Sequence, residues 1–225
     1  MYPSLPDETL AAAAWLIRRF HDATAGTRIS HGHETVCHGD LSPCNFIFRD
    51  GGPIGMIDFD AAVPGTRLQD VGYALFLWLN LGTDGPSPTE QARRIQVFCH
   101  GYGIEGDEHV IEASIIAVAA NLERLCAARR HSDVKWWQEQ LDWLSNAREE
   151  LVRSLQSQGH SATLAQARHL VPTPAVQAAR SASIVAVLTR PATARARSLS
   201  DVMKASAWSC VSATNSASNV VSHPR

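Results

Sequence analysis

"VCHGDLSPCNFIFRDGGPIGMIDFD", Val36 to Asp60, decides how this chain folds. Its middle is a hairpin. Asn45–Arg49 and Ile54–Ile57 are short apolar runs of strand composition, and between them lies "RDGG", Arg49–Gly52. An Asp-Gly pair supplies the positive backbone angles of a tight two-residue turn. Asn45 then starts one arm and Asp58 ends the other, so two residues thirteen apart in sequence become neighbours in space.

Outward from the hairpin the pattern is helical. Upstream, Leu10, Ala13, Ala14, Ile17 and Phe20 share one face, which predicts a helix over Asp7–Thr24 stopped by Gly26. A short strand follows near Thr35–Cys37. Downstream, "TRLQDVGYALFLWLNLG" is apolar nearly all round and reads as a buried central helix. Ser87-Pro88-Thr89-Glu90 reads as a capping box opening a helix that stops at Gly103. Two more helices are predicted, at about Glu108–Arg130 and Val134–Leu155. The expected fold class is mainly α with a small β-hairpin (α+β).

Charge divides the chain. Residues 1–155 carry 13 Lys/Arg against 21 Asp/Glu, while residues 156–225 carry 7 against one acid, Asp201. The second part is rich in Ala and Ser and has little periodicity apart from Ser183–Leu188. It reads as a poorly ordered basic tail behind a domain of residues 1–155. The overall net charge of -2 gives no case for nucleic acid or a membrane surface as partner. The longest apolar run, Tyr73–Leu81, is far short of the roughly 20 residues that span a bilayer. Five irregularly spaced cysteines and the lack of a basic-then-apolar leader fit reduced thiols in the cytoplasm.

The chemistry concentrates in "HGDLSPCN", His38–Asn45, and "MIDFD", Met56–Asp60. An Asp followed five residues later by an Asn is the spacing of a kinase catalytic loop, in which the Asp takes the acceptor proton and the Asn holds Mg²⁺. Asp58 adds a hard-oxygen ligand at the far end of the hairpin. His31, His33, Cys37 and His38 could be read as zinc ligands, but their spacing fits no closed zinc module. Trp136, Trp137 and Trp143 could stack on a ligand, but at helical spacing they read as core and partial surface. Glu105, Asp107, Glu108 and Glu112 read equally as a polycation site or as the solvated start of a helix.

These motifs resemble the aminoglycoside phosphotransferase family, a branch of the protein-kinase-like superfamily. "HGDLSPCN" is similar to its His-Gly-Asp loop, "IDFD" to its metal segment, and "RLQDVGYAL" to the helix that follows. The resemblance covers about Leu10–Leu155 and implies the C-terminal lobe of a kinase-like fold. It implies Asp40 as catalytic base, Asn45 and Asp58 as Mg²⁺ ligands, and Asp60 as a residue that assists the metal or binds water. His38 and Asp70 would support the loop. ATP and Mg²⁺ would be the cofactors, and a small-molecule hydroxyl such as an aminoglycoside's the acceptor.

The family's N-terminal nucleotide lobe is expected to be missing. No Gly-x-Gly-x-x-Gly phosphate cover is expected anywhere in the chain, Gly51–Gly55 belonging to the hairpin, and the two lysines, Lys135 and Lys204, both follow the metal motif. The competing expectation is therefore a catalytically weak or inactive lobe, a remnant or a binding module.

Overall fold

A computed structural model describes residues 5–128 and 131–158. The order is α1 (Asp7–Thr24), β1 (Thr35–Cys37), β2 (Phe46–Arg49), β3 (Gly52–Met56), β4 (Val63–Gly65), α2 (Arg67–Leu79), α3 (Pro88–Tyr102), α4 (Glu108–Ala127) and α5 (His131–Gln158). The unit is mainly helical with small antiparallel sheets. The expectations of a poorly ordered tail and a strand at Ser183–Leu188 concern residues outside those described.

Local chemistry sets the helix ends. The Thr66 hydroxyl accepts the Gln69 N–H at the start of α2, and Asp107 accepts the His109 N–H at the start of α4. Ser87 accepts the Glu90 N–H, but the Glu90 carboxylate turns to Arg93, so only half of the expected capping box forms. Arg93 also grips Asp7, which ties the first turn of α1 to α3. α3 ends on Gly103 in the left-handed region, φ 88°. α4 stops at Ala127 rather than Arg130, and α5 begins at His131 and runs to Gln158, three residues past the expected Leu155.

The core forms where these helices pair. α1 packs on α3, α2 on α4, and α5 closes across α3 and α4. Leu10, Ile17, Leu75, Leu79, Phe98, Ile111, Leu125, Trp137 and Leu144 are all but inaccessible to solvent. Trp137 lies tilted against Phe76 at 5.2 Å between ring centroids and Trp136 packs edge-on to it, so these tryptophans serve the core. α2 is the hub: eight of its thirteen residues are buried.

The hairpin turns as expected, through Asp50 (φ 50°) and Gly51 (φ 76°), and pairs Arg49 with Gly52 and Phe46 with Met56 across a bulge. Two strand ends differ from the reading. Asn45 lies in a 3₁₀ turn (Pro43–Asn45) before β2, and Asp58 stands two residues beyond β3. A second sheet went unforeseen, β1 against β4, with Thr35 opposite Gly65 and Cys37 opposite Val63. No helix among the described residues is long and apolar enough to cross a membrane.

Candidate functional site

The loop between β1 and β2 is held from behind by one buried carboxylate. Asp70, on the first turn of α2 and 2% exposed, accepts the His38 N–H (2.7 Å) and the Gly39 N–H (3.1 Å). Its Oδ2 also meets His21 Nε2 at 3.0 Å, and His21 Nδ1 meets the Tyr102 hydroxyl at 2.6 Å. If Nε2 carries the proton and donates to Asp70, Nδ1 is free to accept from Tyr102. α1, α2 and α3 therefore converge, through one polar chain, on the backbone of two loop residues.

Gly39 is fixed by shape. Its φ is 79°, and a Cβ there would lie 2.3 Å from the Ala61 carbonyl oxygen. Only glycine lets the loop pass this close to the segment that carries Asp58.

His38 joins the two halves of the site. Its ring is buried against Phe59, 4.5 Å between centroids, and Nε2 donates to the Ile57 carbonyl at 3.0 Å. That leaves Nδ1 to accept the Asp40 N–H, at a longer 3.4 Å. Asn45 makes the second link. Its Nδ2 donates to the Asp40 carbonyl (2.8 Å), and its own carbonyl accepts the Ile57 N–H (2.9 Å). Asp40, Asn45 and Asp58 are thereby gathered around Ile57.

The electrostatics agree with that proximity. Burial pushes the Asp40 carboxyl above the ordinary carboxylate range, and the Asp58 charge pushes the same way, against the pull of the Asn45 amide and His38. Asp58 adopts a left-handed backbone, φ 66° and ψ 63°. Such a conformation in a non-glycine residue costs on the order of 1–3 kcal/mol and gathers at functional sites.

The donor set fits a magnesium ion. With its Nδ2 spent on Asp40, the Asn45 side-chain oxygen is left to accept, and neither it nor the Asp58 carboxylate meets a cation among the described residues. One or two carboxylates and an amide oxygen are what Mg²⁺ takes from a protein beside phosphates and water. Asp60 stands apart, exposed in the 3₁₀ turn Phe59–Ala61, with no hydrogen bond to the others.

Other sequence candidates lie elsewhere. His31 and His33 are exposed, Cys37 donates to the Thr66 carbonyl, and no group of three or more His, Cys, Asp or Glu side chains is placed to hold a metal ion among the described residues. The glycine spacing needs a correction. Gly101, Gly103 and Gly106 do spell Gly-x-Gly-x-x-Gly. Gly101 lies in the last turn of helix α3 and Gly103 ends it, so a helix rather than a strand leads into the spacing. A cavity of about 490 Å³ opens beside them, but it is lined by Glu105, Asp107 and Glu108, which would repel phosphate, and none of the loop residues reaches it.

Sequence reasoning missed His21 and Tyr102. The signal was present: His21 falls four residues after Ile17 on the apolar face of α1, where a histidine must find partners.

Residues 2–113 match the phosphotransferase enzyme family. The chain is also similar to a trifolitoxin immunity protein of Rhizobium leguminosarum bv. trifolii, at 29% identity, over 44% of this chain and 46% of that protein. The chain thus spans about half the length of that curated relative. No solved structure matches it.

Proposed function

Because this chain belongs over residues 2–113 to the phosphotransferase enzyme family, we propose that it serves transfer of a phosphoryl group from ATP to a hydroxyl of a small molecule, in a kinase-like C-terminal lobe. Asp40 orients the acceptor hydroxyl and takes its proton. A carboxyl raised by burial is a better base near neutral pH than an ordinary one. Asn45 and Asp58 would hold Mg²⁺, which supplies charge neutralisation at the phosphates when bound. His38 and Asp70 keep the loop in register, so that proton removal needs little reorganisation. The observation that carries this reading is the gathering of Asp40, Asn45 and Asp58 around Ile57. An aminoglycoside remains the acceptor implied by resemblance alone.

A second reading, binding without turnover, is favoured by the lysine content. Only Lys135 and Lys204 exist, and Lys135 is exposed on α5 beside Glu139. Among the described residues, no lysine other than Lys135 is present to play the cation that pairs with the phosphates in kinases.

Calorimetric titration with ATP, with and without Mg²⁺, separates the two. Magnesium-dependent binding that disappears in Asp58→Ala supports phosphotransfer. No binding by a folded chain, or binding indifferent to both Mg²⁺ and Asp58→Ala, overturns it and leaves the binding module.

A further inference from the structure

We infer that the molecule held against Asp40 carries a carboxylate or a comparable anionic group, gripped by Arg124 and Asn121 near the end of α4. This rests on the reading of Asp40 as the base of a phosphotransfer site.

α2 runs beside the catalytic loop and is pinned to it twice. Asp70 holds the His38 and Gly39 N–H groups, and eight residues later Trp78 Nε1 donates to the Leu41 carbonyl at 2.8 Å. Tyr73 lies one turn after Asp70, on the stretch between those two anchors. Its phenol feels both neighbours. Burial raises its pKa, the Asp40 charge raises it further, and the Arg124 guanidinium lowers it. Coulomb interactions fade quickly with distance, so base, phenol and guanidinium share one neighbourhood.

α4 reaches that neighbourhood because it packs tightly along α2. Ser114 Oγ donates to the Gly72 carbonyl at 2.9 Å, and a Cβ on Gly72 would collide with the Ala113 backbone. Two turns after Ser114 comes Asn121, only 6% exposed, whose Nδ2 has no hydrogen-bond partner. Its Oδ1 accepts from Arg124, and Arg124, exposed, meets no carboxylate among the described residues. The buried Asn121 amide donor has no acceptor, and beside it stands a guanidinium that faces solvent. A ligand carboxylate would satisfy both, since its two oxygens match the guanidinium fork.

The acids that a polycation would need are at the other end of the helix. Arg148 holds Glu108 and Glu112, and Asp107 caps α4 and pairs with His109. Sixteen residues separate Glu108 from Arg124, roughly 24 Å along the axis. Glu123 is adjacent in sequence and exposed, but it is not among the charges that act on Tyr73.

The test uses ligand-observed NMR on the full chain with glycerate, 3-hydroxybutyrate and L-homoserine, their methyl esters, and kanamycin. Expected are binding of at least one hydroxy-carboxylate, its loss on esterification, and a weakening of about tenfold or more in Arg124→Gln at unchanged Tm. Arg124→Lys should fall between. No binding by any of the acids, esters bound as well as acids, or binding untouched by Arg124→Gln overturns the inference. Adding Mg-ATP then reports on the underlying reading separately. A bound acid that is never phosphorylated keeps the anion grip and sinks phosphotransfer. Phosphorylated kanamycin, indifferent to Arg124, keeps phosphotransfer and sinks the anion grip.

Discussion

Replacing Asp70 with asparagine tests how the catalytic loop is held. The carboxylate makes three bonds, to the His38 N–H, the Gly39 N–H and His21, and is almost fully buried. Asparagine keeps the shape but turns one oxygen into a donor. In its cheaper orientation the NH₂ faces Gly39, the more exposed of the two backbone donors, and one bond is lost outright. The two that survive lose their charge assistance, falling from about 1.5–3 to about 1 kcal/mol each. The sum is a destabilisation of about 2.5–7 kcal/mol. Asp70→Ala leaves all three donors unpaired and should cost about 3–9 kcal/mol. For a folded unit of this size, each kcal/mol lowers Tm by about 2–4 °C. Urea unfolding followed by tryptophan fluorescence gives the number directly, provided the slope of free energy with denaturant is unchanged. A double-mutant cycle with His21→Phe should return a coupling of about 1 kcal/mol or more, since the two side chains touch. An Asp70→Asn protein within about 0.5 kcal/mol of the parent, with no coupling to His21, would refute the account of a loop held from behind.

Three further outcomes follow from the same geometry. Asp40→Asn should raise stability at neutral pH: the folded carboxyl has a raised pKa, so the folded state holds more protons and loses stability as pH rises through that window. The gain should therefore be full above the window and shrink below it, as thermal melts across pH 3–8 would show; a gain that grows toward acid pH contradicts it. Gly39→Ala should cost more than about 2 kcal/mol, from a strained φ plus a carbonyl clash, and should abolish any Mg-ATP binding, checked by denaturation and calorimetry. Cys37, whose thiol is pushed up to about 12 chiefly by burial, and buried Cys99 should resist iodoacetamide in the native protein at pH 8, while exposed Cys126 is alkylated, as peptide mass spectrometry can read.

What was legible in the sequence was what local rules decide. The Asp50-Gly51 turn, the apolar face of α1 and the glycine stop of α3 each depend on residues a few positions apart, and each element formed at or near its expected place. The β1–β4 sheet was not legible. β1 forms where a short strand was expected, but β4 is three residues long and contains Pro64, and the paired residues lie about 28 positions apart, so neither periodicity nor a turn signal marks the pairing. The Gly101–Gly106 spacing shows the opposite failure: the pattern is present, but a preceding helix rather than a strand removes its phosphate-binding geometry.

The candidate site divides along the same line. Asp40, Asn45 and Asp58 stand out because their residue types are bound to their spacing on one hairpin. Of the residues that position them, His38 and Asp70 were expected from the resemblance, whereas His21 and Tyr102 were not. His21, Tyr102 and Asp70 come from three helices, and nothing in the spacing of a histidine on α1 says that it will meet a carboxylate 49 positions later. The polar chain has a consequence for where function is vulnerable. Because the loop's backbone donors end on Asp70, and Asp70 is held by a histidine that is itself held by Tyr102, a change on α3 reaches the base without touching it. Tyr102→Phe removes only a hydroxyl from a residue that otherwise belongs to the core, so it should cost about 1 kcal/mol of stability. It also frees His21 to choose the other tautomer and offer Asp70 an acceptor in place of a donor. If the chain works as argued, Tyr102→Phe and His21→Phe should be strongly non-additive in urea unfolding; additive losses would mean that each contact acts alone.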